Sequence, residues 1–321
     1  IKYHLEKAYF EALNGRPGPV WLDIPANIQS KKINPTKLLS FKKPNFKKNI
    51  NLRVDKEIKR IANIINKSEK PLIHFGQGVK LSNGNKQALN IINDFSLPFA
   101  LTWNASDLIE SNNPFYTGRP GAFAERGSNF IVQNCDVLLS VGSRLPFMIT
   151  GYNSKDFARN AKRIVVDIDK NEINKKSLNF HIKLECDAKY FLEKIYKYLK
   201  RGKNRYNWIN YCKYIRNKYP IVLESYKKQK KYVNSYYFIS YLSDLCKNND
   251  TIVTDMGLSF VGTHQTFKIK KNQKLYTNSG HAPMGWGLPA AVGASFAKKN
   301  KRVICLTGDG GLQMNIQELA T

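Results

Sequence analysis

Apolar residues along this chain recur with two alternating periods. Ile58, Ile61, Ala62 and Ile65 share one face at helical spacing, and the run Pro71 to Phe75 that follows is short and mostly apolar, as a strand would be. The pair repeats: Ala88 to Phe95 reads as a helix and Pro98 to Thr102 as a strand. Residues 136–141 and 163–167 give two more strands, and 188–200 a closing helix. A second series begins at 235. Tyr237, Ile239, Leu242 and Leu245 mark a helix, Thr251 to Thr254 a strand, Gly285 to Phe296 a helix of small residues, and Val303 to Leu306 a buried strand. Strands alternating with helices predict an α/β protein built from tandem doubly wound parallel-sheet domains.

The flanking segments break the pattern. Leu5, Ala8, Tyr9, Ala12 and Leu13 predict an amphipathic helix, broken by Gly15 to Pro19; Val20 to Ile24 predicts a strand. One helix and one strand are too little for a domain, so residues 1–29 read as the closing unit of a domain. Residues 30–54 are polar and aperiodic, a linker. The organisation expected is therefore 1–29, the linker 30–54, a central α/β domain at 55–200, a basic linker with a helix at 201–234, and a further α/β domain at 235–321. In the basic segment Trp208, Tyr211, Ile215 and Tyr219 suit a helix packed on a domain better than a base-stacking platform. The absence of an initiator Met, and a last helix only just begun, suggest a fragment.

Composition changes this picture little. The formal charge of +28 is mostly lysine spread over the whole chain, which reads as a solvated surface rather than a nucleic-acid site. No apolar run approaches the ~18–20 residues of a membrane span. Five scattered cysteines without a C-x-x-C pair point to a reducing, cytoplasmic setting.

The chemistry concentrates at 303–321. An apolar strand stops at Gly308-Asp309-Gly310-Gly311, and Leu312, Ile316 and Leu319 then begin a helical period. A glycine turn entering a helix offers free amides to an anion, and Asp309 adds a carboxylate for Mg²⁺.

Taken with Asn278 to Ala294 (NSGHAPMGWGLPAAVGA) and Gln313 to Thr321, this stretch resembles the acetolactate synthase family of thiamine-diphosphate (ThDP) enzymes. Gly15 to Pro25 (GRPGPVWLDIP) resembles the end of that family's pyrimidine-binding domain, and Arg163 to Ile173 the end of its central sheet. The resemblance spans almost the whole chain in order. It implies that Asp309 binds Mg²⁺ and that Gly308, Gly310 and Gly311 face the diphosphate, with Asn315 opening the helix beside them as a cap or packing residue. It implies that Met284 wedges between the two rings of ThDP and that the Ala282 carbonyl accepts from the cofactor's amino group, where the family usually has glycine. His281 is a candidate for substrate contact. Gly257 and Ser259 are candidates for the diphosphate, although the family's Gly-Gln-His is replaced here by Gly257-Leu258-Ser259. The family's activating glutamate and second metal-ligating Asn match no residue here, and Glu6, Glu11, Glu110 and Glu125 read as surface groups.

The central domain departs further. The family's R-F-D-D-R-V-T-G becomes Arg144-Leu-Pro-Phe-Met-Ile-Thr-Gly151, losing both acids and the second arginine. Gly76-Gln77-Gly78 after a strand can cradle a pyrophosphate and Asp169 can hold a ribose, but a lone G-x-G is equally a tight turn. FAD is thus an alternative rather than an expectation. The Gly118 to Gly121 loop and Arg126 are candidates for a substrate carboxylate. The implied activity is ThDP- and Mg²⁺-dependent carboligation or decarboxylation of pyruvate or another 2-keto acid, as a transferase or lyase. Its active site would lie between subunits of a homodimer or homotetramer, with no nucleic-acid or membrane partner, and this stretch alone is expected to be inactive. A non-ligating 2-keto-acid decarboxylase is the runner-up. A basic nucleic-acid-binding α/β protein is the reading from another class.

Overall fold

Strands that are apolar on both faces must be covered by helices on both sides, and the chain meets that demand with two parallel sheets. The computed structural model describes residues 1–44, 52–298 and 301–321; part of the predicted linker 30–54 lies outside these residues. The first sheet contains β1 (Pro71–Phe75), β2 (Phe99–Leu101), β3 (Val137–Val141), β4 (Lys162–Asp167) and β5 (Ile182–Glu185), in the order β2-β1-β3-β4-β5. Alternation splits its side chains between two cores. Ile73, Phe75, Leu139 and Val166 pack with helices Leu52–Lys67, Asn85–Phe95 and Ala188–Tyr196. Leu72, Ala100 and Leu138 face the opposite layer, made by helices Arg126–Asn134 and Tyr206–Lys218.

That second layer decides the role of the basic segment. Trp208 and Tyr211 do stack on each other, but Trp208 is buried and donates its indole N–H to the Pro71 carbonyl at 2.9 Å. The helix Tyr206–Lys218 therefore packs on the central sheet through Trp208.

The second sheet has three parallel strands, β6 (Thr251–Thr254), β7 (Lys274–Tyr276) and β8 (Val303–Leu306), in the order β7-β6-β8. Ile239, Ile252, Phe267, Ile269 and Leu275 form its core. β8 is only half-buried along its length, not buried as its composition suggested. β5 and β7 have no apolar run to announce them: β5 buries Ile182 and Leu184 but exposes Lys183 and Glu185.

Polar contacts join the two units. Arg119 donates to the Phe267 carbonyl at 2.9 Å, Ser111 N to Ile269 O at 2.9 Å, and Gln265 Nε2 to Ala124 O at 3.2 Å. Arg119 also pairs with Glu125 at 3.2 Å. Burial opposes its charge, but Tyr116 and Glu125 hold its pKa above the ordinary value. Both residues are buried, so the loop Gly118 to Gly121 staples the units together and does not present a substrate-binding arginine, and Glu125 is not a surface group. Arg126 lies over the rings of Phe130 and Tyr219.

The N-terminal segment departs from expectation. Helix Lys2–Leu13 forms, but Leu5, Tyr9 and Leu13 stay exposed. Phe41 instead packs beside Tyr3 and Phe10 and donates its amide to Glu6 at 2.7 Å. Val20 to Ile24 is not a strand: Trp21 is 90% exposed, and no described strand lies beside it to form a ladder. No helix among the described residues is long and apolar enough to cross a membrane.

His74 in the middle of β1 is buried, and neither ring nitrogen has a partner among the described residues. Burial lowers its pKa from 6.5 to about 4. The unfolded chain therefore binds the extra proton between those values, and stability falls as pH falls across that window. His264, also buried, shifts in the same direction. We expect urea midpoints to drop on acidification from 6.5 towards 4, with His74 contributing up to about 1.4 kcal/mol per pH unit. His74→Val should flatten that slope, and equal slopes for both proteins would contradict it.

Candidate functional site

β6 and β8 are neighbours in register, Thr254 opposite Leu306, so the turns that follow them emerge side by side. A third turn, 284–287, is drawn to the same place by Asp255. This carboxylate is 1% exposed. It accepts from Gly285 N at 3.1 Å, Gly287 N at 3.3 Å and the Thr307 hydroxyl at 3.1 Å. Its own amide donates to Leu306 O at 2.8 Å. One buried carboxylate thus ties three loops at the carboxyl ends of two strands, where ligands of parallel α/β sheets bind.

Glycine at 311 is required by this packing. A Cβ there would lie 1.7 Å from Asp255 Oδ2, whereas a Cβ at Gly308 meets nothing within 4 Å. Gly310 is held differently, since its Cβ would reach the Met284 methyl at 2.9 Å. The turn leads into helix Asp309–Met314, whose N-cap Gly308 supplies no side-chain cap. The first-turn amides of Asp309, Gly310 and Gly311 have no carbonyl within the helix to bond. With only six residues the helix adds little macrodipole, and the amides themselves are what an anion would meet. Asp309 is exposed, and no hydrogen bond or ion pair among the described residues engages its carboxylate.

Met284 is 52% exposed above this turn, and Gly285 has φ +85°, which turns the chain sharply before helix Gly287–Ala297. Ala282 also adopts a left-handed conformation, φ 56°. That conformation favours glycine, which accounts for the residue usual there in the resembling family. His281 is exposed on the same loop. Gly257, φ +76°, caps helix Leu258–Thr266, and the Ser259 hydroxyl donates to Met256 O at 2.8 Å, leaving its oxygen to accept.

Asn315 corrects an expectation. It ends helix Asp309–Met314 and stands at the start of the 3₁₀ segment Ile316–Ala320 instead of opening the helix at the glycine turn, and its amide donates to Gly285 O at 2.6 Å. It braces the 284–287 turn. Ile316 and Leu319, expected to continue a helical period from Leu312, lie exposed in a 3₁₀ segment. Asp255 itself was read only as the end of a strand. An acidic residue at the carboxyl end of an apolar strand, followed by a glycine, was the available signal.

The central sheet brings Gly76–Gly78 and Gly142 together at its own switch point, between β1 and β3. The amide of Gly76 bonds Val141 O and that of Gly78 bonds Gly142 O, both at 2.9 Å. A Cβ at Gly76 would lie 2.1 Å from Gly142 O. These glycines serve close backbone approach and offer no free amide to a pyrophosphate. Asp169 caps the next helical turn and pairs with Arg16 at 3.1 Å, while Arg144 is bonded to Glu172 at 2.5 Å. Asp169 and Arg144, the groups read as candidates for a flavin dinucleotide, are thus each paired with a charged side chain.

Two family models match the chain: the thiamine pyrophosphate enzyme central domain over residues 58–195, and the C-terminal TPP-binding domain over residues 255–321. The chain is similar to a probable acetolactate synthase large subunit of Methanococcus aeolicus, 33% identical over 98% of this chain and 55% of that protein. It is also similar to the acetolactate synthase isozyme 2 and isozyme 1 large subunits of Escherichia coli K12. These are 31% and 29% identical over 99% of this chain, and 55% and 54% of those proteins. The chain spans about half the length of the curated relatives it matches.

Because Gly311 and Gly308 share a turn but not a neighbour, they test the clamp. Gly311→Ala should lower the melting temperature by several degrees and speed amide exchange at Gly285 and Gly287, as the Asp255 carboxylate is displaced. Gly308→Ala should do neither. Equal effects of the two substitutions would refute the assignment.

Proposed function

This chain belongs to the acetolactate-synthase-like family of thiamine pyrophosphate enzymes, and we propose from that premise that it serves a ThDP- and Mg²⁺-dependent conversion of a 2-keto acid. The observation that carries the reading is the clamp at Asp255, which leaves first-turn amides, an exposed Asp309 and the Met284 side chain together at one sheet end. The residues fit the cofactor. The Asp309 to Gly311 amides would hold diphosphate oxygens. Among the described residues no three His, Cys, Asp or Glu side chains cluster as a metal site. Asp309 would therefore share Mg²⁺ with the diphosphate, an arrangement usual for that ion.

When bound, ThDP supplies the electron sink that lets a 2-keto acid lose CO₂. The chain's own residues orient it. The bulk of Met284 against Gly310 would support a bent cofactor, the Ala282 carbonyl would accept from its amino group, and Gly257 and Ser259 would border the diphosphate. Asn315 and Asp255 act one step back, as positioning residues for the 284–287 turn. His281, exposed and unengaged, would meet substrate.

Carboligation of pyruvate or a related 2-keto acid is the favoured outcome, because the relatives are named for acetolactate synthesis. Simple decarboxylation is the second reading, favoured by the replacement of the family's Gly-Gln-His by Gly257-Leu258-Ser259. A homo-oligomer with the active site between subunits, the division into 55–200 and 235–321 as central and ThDP-binding domains, and a reducing cytoplasmic setting complete the proposal. The last is supported by five free cysteines, four of them buried.

Calorimetric titration of the full-length protein with ThDP should show Mg²⁺-dependent binding. Asp309→Ala should lose that dependence and weaken binding at least about tenfold, the cost of one charge-assisted metal contact, with an unchanged circular dichroism spectrum. Undiminished Mg²⁺-dependent binding by the variant would sink the assignment.

A further inference from the structure

A cleft of about 570 Å³ lies where the two units meet the stretch that joins them. Its lining comes from the end of helix Tyr206–Lys218 and residues 220–222, from helix Ser235–Leu245, and from residues 265–268 beside Tyr116. The volume is ordinary for a small-molecule site. The cleft shares no residue with the turns that Asp255 gathers.

Charge along this cleft is unevenly matched. Arg119, Arg216, Lys227 and Lys268 line it. Three of them have carboxylate partners: Arg119 pairs with Glu125 at 3.2 Å, Lys227 with Glu224 at 2.6 Å and Lys268 with Asp244 at 2.9 Å. Arg216 pairs with no carboxylate among the described residues. Its guanidinium lies 5.0 Å over the Tyr116 ring and donates from Nη1 to the Tyr116 carbonyl at 2.8 Å. Those contacts hold the group in place and leave its charge unmatched. The remaining nitrogens of this half-buried arginine keep accessible surface, unlike Arg119 Nη1 and Gln265 Oε1 in the same cleft, which are sealed.

One unmatched guanidinium calls for one negative charge, and a carboxylate suits it because the two planes can meet through parallel hydrogen bonds. A phosphate or diphosphate would bring more charge than the cleft leaves open. The neighbouring surface is apolar and flat. Pro220, Ile221 and Val222 supply aliphatic groups, and the rings of Tyr237 and Tyr241 lie 6.3 Å apart at 45°. Tyr237 and Ser240 are half-buried, and no described residue bonds their hydroxyls. Aromatic ligands gain from both ring and guanidinium faces.

We propose that this cleft is a binding site for an aromatic monocarboxylate, with the carboxylate on Arg216 and the ring system against Val222 and Tyr237. The assignment stands apart from the 2-keto-acid reaction proposed above and uses none of its residues. Because the lining belongs to both units and to the stretch between them, an occupant stabilises their junction in proportion to its occupancy.

The test titrates full-length protein calorimetrically with 2-naphthoate as the probe. It should bind at least about tenfold more tightly than 2-naphthamide, which lacks the charge, and than acetate or inorganic phosphate, which lack the ring. Arg216→Gln should weaken 2-naphthoate about tenfold or more, as loss of a hydrogen bond to a charged group would, and Arg216→Lys should recover part of it. Val222→Asp places a like charge in the cleft and should also weaken binding; it answers the question if Arg216→Gln does not fold. Asp309→Ala should bind the probe as the unmodified protein does. Amide exchange at Ile221 and Val222 should slow on binding, which locates the probe. No binding, equal affinity for 2-naphthamide or phosphate, undiminished binding by Val222→Asp, or loss of binding in Asp309→Ala would each overturn the proposal.

Discussion

The C-terminal part of this protein depends on one buried carboxylate. Asp255 has almost no contact with solvent, and an isolated charge there would be expensive. It is tolerated because two backbone amides and a hydroxyl converge on it. Their convergence fixes where the chain turns after β8 and before helix Gly287–Ala297. The glycines follow from the carboxylate: a side chain at 311 would occupy its place, and one at 287 would approach its Cβ to 2.8 Å. The signature that looks like a ligand motif is therefore in part a packing motif. Gly310, Asp309 and Met284 face outward because Gly311, Gly287 and Asp255 face inward.

Periodicity made most of this architecture legible. Pro71 to Phe75 and Thr251 to Thr254 read directly as strands, and both are buried along their whole length. The same reasoning missed Ile182–Glu185 and Lys274–Tyr276, where an edge position leaves one face wet and the composition mixed. It overcalled Val20 to Ile24, since a strand exists only where a neighbour accepts its ladder, a non-local fact. Glycine and aspartate in the 308–311 turn were visible as local chemistry. The role of Asp255 was not, because its partners lie 30 to 52 residues away. Arg119 failed the same way: a loop arginine looks like a ligand until Glu125 and the Phe267 carbonyl are seen around it.

The two sheet ends have contrasting electrostatics. The C-terminal one presents bare amides and an unengaged carboxylate, a polarity that suits an anion bridged by a cation. At the central one Arg16, Arg144, Asp169 and Glu172 cancel one another, and neutral amides, hydroxyls and rings remain. A net charge of +28 over the whole sequence conceals this local neutrality. Bulk charge describes the lysine-covered exterior, and the chemistry is set by which few groups are left unpaired inside.

The contacts between the two units bear on how the molecule can move. Ser111, Arg119, Ala124 and Asp107 on one side engage Ile269, Phe267, Gln265 and the Leu275 amide on the other. Parting the units would exchange these hydrogen bonds for bonds to water, at a net cost of about 0.5–1.5 kcal/mol each. The units are therefore held to one another by bonds of their own as well as by the connecting stretch 219–234. Chain continuity is not what keeps them in register: a gene cut within that stretch would encode two pieces whose mating surfaces already specify how they join.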